Sequence, residues 1–230
     1  MALPHTVAID GPGGSGKSSV AAVVARDLDY LFVDTGAFYR AVTLAALRQG
    51  KTEPDEATLT DIARHCDMDI TPERDADNRD YTILLDGEDV TNKIRDPGVE
   101  AHVSRVSAIA GVREVLNEKY RALAARGRVI MVGRDIGTIV LPHADLKIYL
   151  DASPEARAER RYKQRVEAGL PADYDQILAA LRARDAHDSQ REVAPLTIAP
   201  DAYHFFTDDL DVAGVVHFLK QIILDWQKAP

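Results

Sequence analysis

A single cysteine, Cys66, in 230 residues rules out an internal disulfide and fits a reducing compartment. Positive charge is also in short supply. The 28 Lys and Arg are outnumbered by 37 Asp and Glu, for a formal net charge of -9. That balance argues against a general nucleic-acid coat or a binder of anionic membranes. No apolar run approaches the length needed to span a bilayer. No cationic-plus-apolar signal segment precedes the first strand-like run, and neither repeats nor low-complexity tracts occur. A soluble, cytoplasmic protein is expected, with no nucleic acid or membrane among its partners.

What is present suits one globular body, because 46% of the residues are hydrophobic and the length is ample for a sizeable core. "TVAID" (6–10) reads as a buried strand and leads into a glycine-rich loop. A helix follows from Lys17, with Val20, Val23, Val24 and Leu28 at helical spacing. "YLFVD" (30–34) repeats the strand pattern, and a helix over 37–49 closes at Gly50. Strand then helix, twice in succession, implies an α/β fold with a parallel, doubly wound sheet. "VIMV" (129–132), "KIYL" (147–150) and "YHFF" (203–206) complete an expected set of five parallel strands flanked by helices.

Residues 51–97 break that rhythm. "YTILLDGEDV" (81–90) signals a hairpin, since Asp86-Gly87 suits a type I′ turn, and "MDIT" (68–71) could pair as a third strand. A small antiparallel insert is the economical reading; a disordered linker is the alternative, given "PERDADNRD" (72–80).

The loop "GPGGSGKS" (11–18) matches G-x-x-x-x-G-K-[ST] in full, between a strand and a helix. Its glycines let backbone N–H groups converge on phosphate oxygens, and the helix start adds its positive dipole end. Lys17 would reach the β- and γ-phosphates and Ser18 would offer its hydroxyl to Mg²⁺. A flexible glycine turn with a chance lysine is the bland alternative. The triphosphate's purpose is left open. "NKIR" at Asn92 has Arg95 where a guanine-reading motif needs aspartate.

The arginines address that question. On the helix expected after Ser153 and Pro154, Arg157, Arg160, Arg161 and Arg165 lie within roughly 140° of one another at ~3.6 residues per turn. They form either a solvated charged face or a lid over polyphosphate, about residues 152–172, that excludes water. On the next helix, from about Asp173, Ile177, Leu181, Arg184, Asp188 and Arg191 share one face. Charges continuing an apolar stripe suggest a polar cleft; an ion-pair ladder through Asp188 is the alternative. Arg40 in "DTGAFYR" could grip a phosphate with its planar fork. In "RVIMVGRDIGT" (128–138) the strand ends in Arg134-Asp135 rather than in a single magnesium-binding carboxylate.

Four segments, "GPGGSGKS", "DTGAFYR", "GRDIGT" and "RDAHDSQREVAPL", together resemble the bacterial-type cytidylate kinases over essentially the whole chain, in order and spacing. The resemblance implies a single P-loop kinase domain, usually monomeric, in which 51–97 is the NMP-binding insert. It implies ATP-binding by Gly11, Pro12, Gly13, Gly14, Ser15, Gly16, Lys17, Ser18 and Ser19, with Arg157 and Arg160, and Mg²⁺ held through Ser18. The catalytic set would be Lys17, Arg134, Arg157 and Arg161. For CMP it implies Arg40 and Arg134 on the phosphate, Ser104, Arg113 and Asp135 on cytosine, and Arg184, Asp188 and Arg191 on ribose and phosphate. Thr35 stands where some relatives have serine and keeps the hydroxyl. Chemically, Asp135 can accept from the cytosine amino group, whereas uracil would present an acceptor oxygen to that carboxylate. The expected reaction is ATP + CMP ⇌ ADP + CDP, with dCMP alongside. Rivals are a kinase for UMP, dTMP, AMP or shikimate, and a regulatory P-loop NTPase that hydrolyses without an acceptor.

Overall fold

A computed structural model of the chain describes residues 3–51, 53–72 and 81–226. Five strands form one sheet: β1 (Thr6–Asp10), β2 (Leu31–Asp34), β6 (Val129–Val132), β7 (Leu146–Asp151) and β8 (Tyr203–Phe206). Their order across it is β2-β6-β1-β7-β8. β1 runs parallel to β7, with Ile9 opposite Ile148 and Asp10 opposite Tyr149, and β7 runs parallel to β8. Val7, Ile9, Ile148 and Leu150 are buried, which is why β1 and β7 read as continuous apolar runs rather than alternating ones.

Three strands form a separate antiparallel sheet: β3 (Met68–Pro72), β4 (Tyr81–Leu85) and β5 (Glu88–Asp89). Asp86 and Gly87 have φ of 52° and 79°, both positive as a type I′ turn demands. The expected hairpin and third strand are therefore present. Most of the charged "PERDADNRD" tract, 73–80, lies outside the described residues.

The chain divides into two compact units, Met1–Val24 with Val132–Pro230, and Ala25–Met131. The first unit holds the P-loop, α6 (Pro154–Glu167), α7 (Tyr174–Gln190) and α8 (Val212–Leu224). The second holds α2 (Thr35–Arg48), α3 (Glu56–His65), α4 (Pro97–Ala108), α5 (Ala110–Ala124) and the small sheet, around a core that includes Phe38, Leu59, Ile83, Leu116 and Tyr120. α1 (Lys17–Leu28) follows the P-loop.

Helix ends follow local chemistry. α2 begins two residues earlier than its periodicity predicts because Asp34 caps it, accepting from Gly36 N–H at 3.0 Å. Ser153 caps α6 with Pro154 at its first position, and Asp173 caps α7. Gly50 and Gly169 follow α2 and α6 with φ of 71° and 67°, the left-handed geometry that stops a helix.

Candidate functional site

The site begins where β1 stops. Gly11 turns sharply, with φ 148°, and a Cβ placed on it would lie 2.1 Å from the Leu150 carbonyl oxygen. No side chain fits there. Gly11→Ala is expected to destabilise the protein by about 3 kcal/mol, lowering the melting temperature by roughly 10 °C in a thermal unfolding scan, with loss of nucleotide binding. Gly14 and Gly16 also have positive φ, 82° and 89°. The Lys17 ammonium is buried and donates to the carbonyls of Gly11 (2.8 Å) and Pro12 (2.7 Å) and to Ser15 Oγ (3.3 Å). Pro12, Gly13 and Ser15 are buried, Ser18 is half-buried, and Ser19 is exposed.

Around this loop the first unit gathers charge. A Cβ on Gly13 would stand 3.2 Å from Arg134 Nη2 and 3.5 Å from Arg184 Nε, so both guanidinium groups border the loop. Arg134 Nε donates to Asp188 Oδ2 at 3.0 Å, and Arg191 Nη2 lies 3.8 Å from Asp135 Oδ1. The late-helix stripe expected to face a polar cleft thus ends among the GRD residues. Asp188 reaches across to Arg134, beyond a ladder along its own helix.

The lid arginines have unequal settings despite sharing one helix. Arg157 is 2% exposed. It donates to the Ala152 carbonyl (2.9 Å), to the Gly13 carbonyl (2.9 Å) and in a two-pronged pair to Asp185. Fork-to-carboxylate pairing with further backbone acceptors satisfies a charge that would cost several kcal/mol if buried alone. Arg157 is thereby a brace between the P-loop, α6 and α7. Arg160 donates to the Thr207 carbonyl and hydroxyl, and Arg165 to the Pro171 carbonyl. Arg161 is exposed. A cavity of about 940 Å³ lies beside the loop, lined by Gly14, Ser19, Arg157, Arg160, Arg161, Thr207, Leu210 and Val212 among others. Its size suits a nucleotide.

The second unit holds the other candidates. Thr35 is buried and its carbonyl accepts from the Tyr120 hydroxyl at 2.9 Å. Arg40 pairs with Glu100. Arg113 is buried, donates to the Ser107 carbonyl at 2.9 Å, and has its guanidinium carbon 5.5 Å from the Tyr39 ring centroid. Ser104 is exposed on α4, and its carbonyl accepts from the Ser107 hydroxyl.

Two carboxylates that make contacts at the site carry no role in the sequence analysis. Asp185 is the partner of Arg157, and its signal in the sequence is its place beside Arg184 in the "RDAHDSQREVAPL" segment. Asp10 is the last residue of β1, buried, and accepts from the backbone N–H groups of Ile136 (2.8 Å) and Gly137 (2.7 Å). Burial pushes its carboxyl up from the usual 3.8 to about 6, assisted by the Asp135 charge and opposed by those two N–H groups and by Lys17. Between about 4 and about 6 the folded protein keeps a proton that the unfolded chain has released. Stability contributed here is therefore full at low pH and falls as pH rises through that window, by about 3 kcal/mol at ~1.4 kcal/mol per pH unit. A carboxylate retained at such a cost in a buried position invites a functional explanation.

The strand order and the glycine loop define a P-loop nucleotide-binding protein, and the arginines around Gly13 give it the character of a phosphoryl-transfer site. Comparison with known proteins narrows this. The family model "Cytidylate kinase" matches residues 7–224. The cytidylate kinase of Streptococcus sanguinis is 45% identical over 215 residues, 94% of each chain. That of Chloroflexus aggregans is 48% identical over 189 residues, 82% of each. Among solved structures, shikimate kinase from Bacteroides thetaiotaomicron covers 96% of this chain and 99% of its own, at 13% identity and a TM-score of 0.48. The chain belongs to the cytidylate kinase family.

Among the described residues no helix is long and apolar enough to cross a membrane.

Proposed function

We propose that this protein transfers the γ-phosphoryl group of ATP to CMP or dCMP, yielding CDP or dCDP for pyrimidine nucleotide metabolism. The observation that carries the reading is the placement of Arg134 and Arg184 against Gly13 of the phosphate loop. A hydrolytic switch has no need of a second phosphate-binding cluster there. Family membership points the same way.

The acceptor phosphate is already anionic, so in-line transfer needs positioning and charge stabilisation rather than a strong base. Lys17 would stabilise the transferring group, and Arg134, steered by Asp188, would hold the acceptor phosphate. Arg184, Arg191 and Arg40 would add to that grip. The exposed Arg161 is free of the bracing that holds Arg157 and suits a lid role better. For the base, Asp135 would accept from the cytosine amino group, and Arg113 and Ser104 would supply the remaining base contacts that the family resemblance implies. Asp135 and Arg113 are both buried, and a base that turns an acceptor oxygen toward a buried carboxylate is penalised strongly.

Mg²⁺ fits the donor set. Among the described residues no cluster of three His, Cys, Asp or Glu could cage a metal, whereas a hard cation carried on phosphates needs few protein ligands. The Ser18 hydroxyl, in the first turn of α1, would be that ligand. When bound, the ion would offset charge on the donor phosphates.

A coupled assay of ADP release with CMP, dCMP, UMP, AMP, dTMP or no acceptor tests the whole reading. Turnover with CMP and dCMP well ahead of the rest is expected, and equal turnover without acceptor would overturn it. Arg113→Ala should raise the KM for CMP by roughly 10- to 100-fold and reduce the CMP/UMP preference. If both stayed unchanged, the base-reading role of Arg113 would be wrong.

A further inference from the structure

We propose that Asp10 is a positioning residue for the acceptor side of the reaction: it caps, from the end of β1, the turn that follows Arg134 and Asp135, and so fixes the directions in which those two side chains leave the backbone. The inference rests on the reading of Arg134 and Asp135 as acceptor contacts.

Residues Ile136–Val140 form one π-helical turn. The first N–H groups of any helical turn lack partners within it and need acceptors from elsewhere. The local candidate is Asp135, yet its side chain makes no cap hydrogen bond. Asp10 takes the task instead, one oxygen to Ile136 N–H and the other to Gly137 N–H. On the other side of the pair, Gly133 N–H donates to the Ile9 carbonyl at 3.1 Å. Arg134 and Asp135 are thus the two residues held between consecutive anchors, both supplied by the end of β1. Because Asp10 is bonded directly to Gly11, the same strand end sets the phosphate loop and the GRD loop in register. A Cβ on Gly137 would stand 3.1 Å from the Lys147 side chain, so the turn packs closely on β7 at this position. With Asp10 doing the capping, the Asp135 carboxylate is left to face Arg191.

Each of the two N–H donors takes its own Asp10 oxygen, and protonating one of those oxygens makes it a weaker acceptor. The charged and titratable groups facing Asp10 are Lys17 from the phosphate loop, Asp135 from the GRD loop, and Lys147 and Tyr149 from β7. Of these, Tyr149 is pushed up to about 12, chiefly by burial, and does not titrate near neutrality. The grip on the loop is therefore expected to weaken as pH falls through about 6.

Asp10→Asn puts an amide donor against one of the two N–H groups and is the informative variant. At pH 7.5 its KM for CMP is expected to rise by roughly 10-fold or more, with the KM for ATP within about two-fold of wild type. In wild type the KM for CMP should climb below pH ~6 more steeply than in the variant, whose substrate titrates identically. Amide hydrogen exchange gives a readout that does not depend on activity. Protection of Ile136 and Gly137 should drop at least about ten-fold in the variant, and in wild type below pH ~6, while the β1 and β7 amides hold. Equal rises in both KM values would overturn the proposal, as would unchanged protection at Ile136 and Gly137. Should the variant fail to fold, Asp10→Glu and Asp10→Ser take its place, and unchanged protection at Ile136 and Gly137 in a folded variant rejects the capping role, whereas uniform protection of wild type across pH rejects only the titration. Absence of any CMP-dependent ADP release by wild type would instead reject the reading of function, and exchange would still judge the cap.

Discussion

Lys17→Met is expected to lower kcat for CMP phosphorylation by roughly 10³-fold, equivalent to about 4 kcal/mol of transition-state stabilisation. The fold should survive. The Lys17 ammonium sits within the loop it serves, bonded to the Gly11 and Pro12 carbonyls and Ser15 Oγ. A bound triphosphate offers that ammonium stronger, charged acceptors in place of neutral carbonyls. Methionine has a similar length and keeps the apolar stem packed while deleting the charge, so the loss belongs to electrostatics rather than to a cavity. Steady-state kinetics with a thermal scan checks this. A kcat within ten-fold of wild type, with an unchanged melting temperature, would mean the charge is not used in transfer.

The second large effect is expected at Arg134. Arg134→Ala should reduce kcat/KM for CMP by roughly 10²- to 10⁴-fold, because the guanidinium that borders the phosphate loop at Gly13 disappears. It also strands Asp188, which is buried and accepts from Arg134 Nε, so a stability loss of about 1–3 kcal/mol should accompany it. Arg134→Lys separates the two contributions. Lysine restores a charge near Asp188 and most of the stability, but it cannot hold Asp188 and a phosphate at once with one planar fork. Recovery of stability without recovery of rate is the expected pattern. Full rescue of rate by lysine would show that charge alone suffices. The double variant Arg134→Ala with Asp188→Asn should lose less than the sum of the single losses, as partners in one pair do.

Much of the fold was legible because its signals are local. β1, β6 and β8 match the expected apolar runs residue for residue, and α1 starts at Lys17 as its spacing predicts. Asp86-Gly87 makes the type I′ turn that its chemistry demands. The glycine loop declares itself by spacing, since only glycine tolerates the positive φ of Gly11, Gly14 and Gly16. The arginine helices were legible as helices, less so in their roles. Periodicity places Arg157 and Arg161 on one face, and the fold buries the first against Asp185 and Gly13 while leaving the second exposed. A helical wheel records angle, not what lies opposite each side chain.

By itself the sequence determined the α/β order of elements, the antiparallel insert, the phosphate loop and the family, because each rests on residues close along the chain or in a fixed motif. Tertiary structure alone decided which charges meet. Asp10 caps amides 126 and 127 positions away, Asp188 pairs with Arg134 across 54, and Asp185 with Arg157 across 28. Such partners are selected by burial, where an unpaired charge or amide is costly and the nearest complementary group in space is taken up. Distance along the chain carries no trace of that choice.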